Sequence, residues 1–141
     1  MLADKTSNLK KLINSDFNEI VDRKFIYYEQ VELPNKKGTY RLLQLVNPGF
    51  DSKIKVYYNP MGQSGTTTIG NVAVSGNEAK SYIAVKLGVS GSVIIKKAKY
   101  KKNHFNSLFG DCSKIQSLYP SREINFDDFA EHIVAYNTLC K

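Results

Sequence analysis

Near the start of the chain, apolar residues recur at three- and four-residue intervals. Leu9, Leu12, Ile13, Phe17, Ile20 and Val21 fall on one side of a helix. With Ser7 placed to cap the first turn, this spacing predicts a helix over 7–21. From Arg23 to Lys97 the period drops to two. In "KFIYYEQVEL", Phe25, Tyr27, Val31 and Leu33 share a face that Glu29 interrupts, and Pro34 to Gly38 supply turn chemistry. "TYRLLQLVN" is almost continuously apolar, as a central strand is, and Asn47 to Gly49 close it. In "KIKVYYN", Ile54, Val56 and Tyr58 point one way and Lys53, Lys55 and Tyr57 the other, which predicts one solvated face. "GTTTIGNVAVSGN" reads as a strand or irregular edge. "AKSYIAVKL" and "SGSVIIKKA" complete the series across a turn at Gly88 to Gly91.

The helical period returns in the C-terminal third. Phe105, Leu108 and Phe109 lie on one side of a helix that stops at Gly110, where a left-handed cap is expected, and Asp111 is placed to cap a short helix ended by Pro120. A last helix begins at Asn125, with Asp127 and Asp128 in its first turn, where negative charge suits the helix dipole. Its stripe is Phe126, Phe129, Ala130, Ile133, Tyr136 and Cys140. Strands joined by turns, without helices between them, argue for an antiparallel meander rather than βαβ units. The expected fold is α+β in a single domain, 1–141. It comprises an N-terminal helix over about 7–21, a meander of about five or six strands over about 23–97, and a C-terminal helical layer over about 99–140.

Composition narrows the function classes. With 42% hydrophobic and 23% charged residues the chain is an ordinary globular one. No apolar run approaches the roughly 20 residues of a membrane-spanning helix. "MLADKTSNLKK" is too polar for a signal peptide, so the sequence is either that of a cytosolic protein or a mature form without its leader. The net charge of +7 comes from 17 Lys and only 3 Arg. Base-edge and phosphate recognition favours the planar fork of Arg, so nucleic acid is the weaker reading of this charge.

Candidate chemistry is sparse. Cys112 falls on the side of Ile115 and Tyr119, and Cys140 continues the last helix's stripe, so both thiols face inward. In an oxidising compartment they pair; in the cytosol they are two buried, inert thiols. Neither CxxC spacing nor an adjacent base suggests a reactive cysteine. A zinc site built from Cys112, Cys140, His104 and His132 fails on geometry. His132 and Cys140 lie about 12 Å apart along one helix, whereas two zinc ligands must bring their donor atoms within about 4 Å. Asp127, Asp128 and Glu131 cluster with His132, but capping explains the acids. "GQSGTTT" lacks the Gly-Lys ending of a phosphate loop. The expectation is no catalytic residue, no metal and no cofactor: not an enzyme.

Two features suit binding. Lys96, Lys97, Lys99, Lys101 and Lys102 surround Tyr100 in "KKAKYKK", a candidate basic surface for nucleic acid or anionic membrane, though such a run is usually a solvated face. Nine tyrosines, alternating along strands, suit sheet packing or a sugar-binding surface.

The pattern "SKIKVYYNP", "KKAKYKKNHFNSLFGDC" and "INFDDFAEHIVAYNTLCK" resembles a group of uncharacterised exported proteins of Bacteroidetes-type bacteria, over about Tyr40 to Lys141. Its most specific parts are Phe109 to Cys112, and Tyr136 and Asn137 with Cys140. Many members have Pro where this chain has Ser113. The resemblance implies export (periplasm, envelope or extracellular), a signal peptide absent from this sequence, and hence a Cys112–Cys140 disulfide. It carries no activity. The resulting expectation is a non-enzymatic exported module that binds a protein or glycan through an exposed sheet face, with peripheral membrane contact or nucleic-acid binding through Lys96–Lys102 as the alternative.

Overall fold

The computed structural model describes Phe17 and residues 25–59, 66–69, 72–75 and 81–140. The helix expected over 7–21 lies outside these residues except for Phe17, which is helical and buried. Among the described residues seven strands precede the C-terminal helices: β1 (Tyr27–Glu32), β2 (Tyr40–Leu45), β3 (Ile54–Tyr58), β4 (Thr66–Ile69), β5 (Val72–Ser75), β6 (Ser81–Lys86) and β7 (Val93–Lys96). β1, β2, β3, β6 and β7 form one sheet in that order, every neighbouring pair antiparallel. This is the expected meander with a C-terminal helical layer. The stretch read as one strand or edge is instead a separate hairpin, β4 against β5, inserted between β3 and β6. Its register pairs Ile69 with Val72, so only Gly70 and Asn71 separate the two strands.

The turn after β1 uses the residues that tolerate positive φ: Asn35 at 60° and Gly38 at 84°. A continuous helical run, α1 (97–109), follows β7. It is made of α-helical Lys97–Lys99, a π-turn over Tyr100–His104 and α-helical Phe105–Phe109. Next come α2 (Ser113–Leu118), two 3₁₀ turns (Ser121–Glu123 and Phe126–Asp128) and α3 (Phe129–Leu139). Asn125 caps the second 3₁₀ turn, its side chain accepting from the Asp127 N–H.

Two of the expected caps differ. Gly110 has φ −64° and ψ −17°, right-handed rather than left-handed. Glycine is needed there for space: a Cβ would lie 2.4 Å from the Asn106 carbonyl oxygen. Asp111 does not cap α2, whose N-cap residue is Cys112. Its carboxylate ties helix to strand instead.

The strands' alternation feeds two cores. On one face Ile54, Val56, Ala84 and Ile95 pack against Tyr100, Phe105, Leu108, Phe109, Ile115, Phe129 and Ile133 of the helices. Phe17 joins this core, its ring 5.7 Å from Phe129 and 5.3 Å from Tyr82. On the other face, Val31, Leu33, Leu43, Leu45, Tyr57 and Ile83 form a smaller cluster. The face of β3 expected to be solvated is therefore covered, and Tyr57 is 3% exposed.

The cause is the path of the β1–β2 hairpin. β2 meets β3 in register only at Leu45 and Tyr57, beside the Val46 N–H to Val56 carbonyl bond. The hairpin then leaves β3 and curls across the sheet, until Ser92 Oγ, just before β7, donates to the Glu32 carbonyl at the end of β1. At the divergence Asn47, fully buried, replaces ladder bonds with its side chain. Nδ2 donates to the Ile54 carbonyl (2.8 Å) and Oδ1 accepts from the Val56 N–H (2.9 Å).

Candidate binding surface

The titratable groups closest to catalytic chemistry are sealed in the helical layer. His132 on α3 is fully buried, and its Nδ1 lies 2.6 Å from the Tyr100 hydroxyl of the π-turn. The Tyr119 ring stands edge-on to it at 4.4 Å and Phe105 at 5.1 Å. Burial pushes the His132 imidazole down to about 3, so the ring is neutral at physiological pH. Glu131, also buried, accepts from the Tyr119 hydroxyl at 2.9 Å. Burial raises its carboxyl, with neighbouring Asp128 adding to the effect against the Tyr119 hydrogen bond. The cluster holds α1, α2 and α3 together by polar contacts in an aromatic setting. Within it His132 itself has no exposed surface, while Tyr119 is half-buried.

The cysteines lie beside this cluster. The Cys112 and Cys140 sulfurs are 2.03 Å apart, at disulfide distance, and join the start of α2 to the end of α3. Next to Cys112, Asp111 accepts from the Tyr136 hydroxyl at 2.9 and 3.0 Å and pairs with Lys86 Nζ at 3.0 Å. Lys86 also donates to the Leu108 carbonyl (2.8 Å) and stands 5.3 Å from the Tyr136 ring centre. Burial works to raise the Asp111 carboxyl, but the Lys86 and Tyr136 hydrogen bonds outweigh it and hold it below the usual range. Of the four residues weighed as zinc ligands, three are thus engaged: the thiols with each other, and His132 with Tyr100.

Lys96, Lys97, Lys99, Lys101 and Lys102 are all exposed around the β7–α1 junction, while Tyr100 in their midst is buried. Lys97 lies 3.7 Å from Asp127. His104 carries the imprint of the cluster. Partial burial lowers its imidazole, and the charges of Lys99 and Lys96 lower it further.

The outward face of the β1–β2 hairpin was not read from the sequence as exposed. The register sets Tyr28 opposite Gln44, Gln30 opposite Leu42 and Glu32 opposite Tyr40, so all six side chains share one face. Here the curl has carried the hairpin away from the helices, and Tyr28, Leu42 and Tyr40 are 61%, 71% and 53% exposed. They form a diagonal stripe about 14 Å long at strand spacing, with amide side chains beside it. Around the end of β1 the surface dips into a cleft of about 800 Å³. Val31, Leu33, Tyr57 and Val85 line it together with polar Gln30, Asn35, Ser90 and Ser92.

Comparison with known proteins returns no match. No protein-family model, curated protein or solved structure matches the chain.

On the hairpin's inner side, Glu29 is the polar residue that interrupted the apolar face in the sequence, and it has its reason. Lys55 Nζ contacts both carboxylate oxygens (3.0 and 2.9 Å), and the Tyr57 hydroxyl donates to Oε1 at 2.7 Å. Burial and Glu29 together push the Tyr57 phenol far above its ordinary value. "TYRLLQLVN" reads as a central strand, and β2 does pair on both sides, yet Tyr40 and Leu42 point to solvent. Alternation at Leu42, Leu43 and Gln44 separates the two faces; it does not say which is covered.

Proposed function

We propose that this chain is a non-enzymatic exported module that binds another protein or a surface glycan through the outward face of the β1–β2 hairpin. The observation that carries the reading is the Tyr28–Leu42–Tyr40 stripe, exposed on a paired scaffold and flanked by Gln30 and Gln44. Tyrosine rings offer flat apolar area with little entropy to lose, and the amides supply hydrogen bonds at the edges. The adjoining cleft extends the surface with an apolar floor, neutral polar groups and the charged Glu32 and Lys37 at its wall. Export is supported by the Cys112–Cys140 pair, since disulfides persist in oxidising compartments. The burial of His132 and Glu131 supports a non-enzymatic role.

The test is binding to an array of glycans and to purified envelope proteins, comparing the native protein with Tyr28→Ala/Tyr40→Ala. The expected result is binding that falls at least about tenfold in the double variant, as loss of two anchor residues implies. Binding indifferent to the pair, or substrate turnover abolished by His132→Gln, overturns the proposal. The exposure of Lys96, Lys97, Lys99, Lys101 and Lys102 together favours one second reading, a basic surface for anionic membrane or nucleic acid. Its signature is binding to anionic vesicles or DNA that weakens steeply with salt. No binding at about 50 mM salt dismisses it.

A further inference from the structure

The five-stranded sheet has two outer strands, and they are finished differently. β7 is four residues long and runs directly into Lys96, Lys97 and Lys99. A short strand bearing lysine is the usual means of keeping other chains off a sheet edge. β1 is six residues long and contains no proline, and the sequence from Phe25 to Asn35 has neither lysine nor arginine.

The hydrogen-bond parity of β1 follows from one contact. The Leu33 N–H donates to the Thr39 carbonyl at 2.8 Å, which makes residues 33 and 39 a bonded pair. Antiparallel ladders alternate bonded and non-bonded pairs. The β1–β2 register therefore turns the N–H and C=O groups of Tyr28, Gln30 and Glu32 away from β2. The Glu32 carbonyl is met by Ser92. Beside Tyr28 and Gln30 no strand of the sheet lies among the described residues. Phe25, Ile26, Tyr27 and Tyr28 along this edge are 69%, 61%, 48% and 61% exposed.

We infer that this edge pairs with β1 of a second copy of the chain, antiparallel about a two-fold axis at Tyr28. A bonded pair on the axis lets the two Tyr28 peptide groups exchange both hydrogen bonds. Ile26 then stands opposite Gln30 and Tyr27 opposite Glu29, so no like charges meet. The interface is isologous and closed, and the product is one sheet of ten strands. At about 200 Å² per large side chain, the four exposed residues bring roughly 500 Å² per copy. A stable complex of standard size has about 800 Å² per partner. The dimer is accordingly at the weak, transient end of protein association. The inference rests on the strand edge and not on what the hairpin's outward face binds.

Sedimentation equilibrium from about 10 μM to about 1 mM tests it. The expected weight-average mass rises from the 15.9 kDa of one chain toward twice that value. Gln30→Pro removes one outward N–H and leaves the β1–β2 ladder intact, because proline is tolerated at that edge position. It should stay monomeric at every concentration with an unchanged circular-dichroism spectrum. Tyr28→Lys keeps the N–H and sets two cations face to face on the axis, and it should stay monomeric too. Native protein that is monomeric at about 1 mM, or dimerisation undiminished in both variants, overturns the inference. Because the readout is mass, its failure is separate from a failure to bind a glycan or protein.

Discussion

Replacing Tyr100 and His132 together by phenylalanine should remove a large part of the protein's acid sensitivity. In the folded state burial holds the imidazole neutral down to about pH 3, whereas in the unfolded chain it takes up a proton below about pH 6.5. Between those values the unfolded state binds more protons, so stability falls as pH falls, by about 1.4 kcal/mol per unit once well below pH 6.5. From pH 7.5 to pH 5 this single group removes about 2 kcal/mol. Glu131 works in the opposite direction, since burial raises its carboxyl, but its causes do not include His132 and it remains in the variant.

Near pH 7.5 the single variants Tyr100→Phe and His132→Phe should each cost roughly 1–3 kcal/mol, because each leaves a buried partner unpaired. The double variant should lie within about 1 kcal/mol of the native protein, because both polar groups leave together. The hydroxyl volume lost at position 100 offsets part of the ring volume gained at 132. Urea denaturation followed by circular dichroism at pH 7.5, 6 and 5 measures all four proteins. The reasoning fails if native stability is flat over this range, or if the double variant loses as much stability as the native protein.

Two further outcomes follow from the C-terminal junction. Replacing Cys112 and Cys140 by alanine should lower the stability of the oxidised protein by up to about 3.5 kcal/mol, the chain-entropy value for a loop spanning 28 residues, and thiol titration of denatured, unreduced native protein should find no free cysteine. Gly110→Ala should destabilise by roughly 1–3 kcal/mol in the same denaturation assay, although alanine suits its φ and ψ, because the new methyl group meets the Asn106 carbonyl.

What could be read from the sequence was set by side-chain period. Alternation located the strands of the meander, and the stripe through Phe129 and Ile133 placed Cys140 on the same inward side that the structure gives it. Period two says which residues share a face but not which face is covered. The period places Tyr57 on a solvated face and "TYRLLQLVN" in a central strand; Tyr57 is instead buried and Leu42 exposed, because the curl of the hairpin is a long-range event. Aspartate at position 111 suits a helix cap, yet its carboxylate is used elsewhere. Its partners, Lys86 on β6 and Tyr136 on α3, are 25 residues away on either side. Gly110 shows the same limit, since glycine serves close approach as well as positive φ. The pattern predicts an exposed sheet face, and which residues form it depends on how the hairpin leaves β3.

That departure also divides the sheet mechanically. Between β2 and β3 the ladder has shrunk to one registered pair, one flanking amide bond and the side chain of Asn47. β3, β6 and β7 are clamped to the helices through the larger core, while β1 and β2 are anchored through the smaller one. Opening the outer hairpin would therefore cost the smaller cluster, the Glu29 bonds to Lys55 and Tyr57 and the Ser92 bond to Glu32, and would leave the larger core in place. A pull on β1 meets first the bonds of Glu29 to Lys55 and Tyr57 and of Glu32 to Ser92, and behind them Asn47, where the backbone of the hairpin parts from β3.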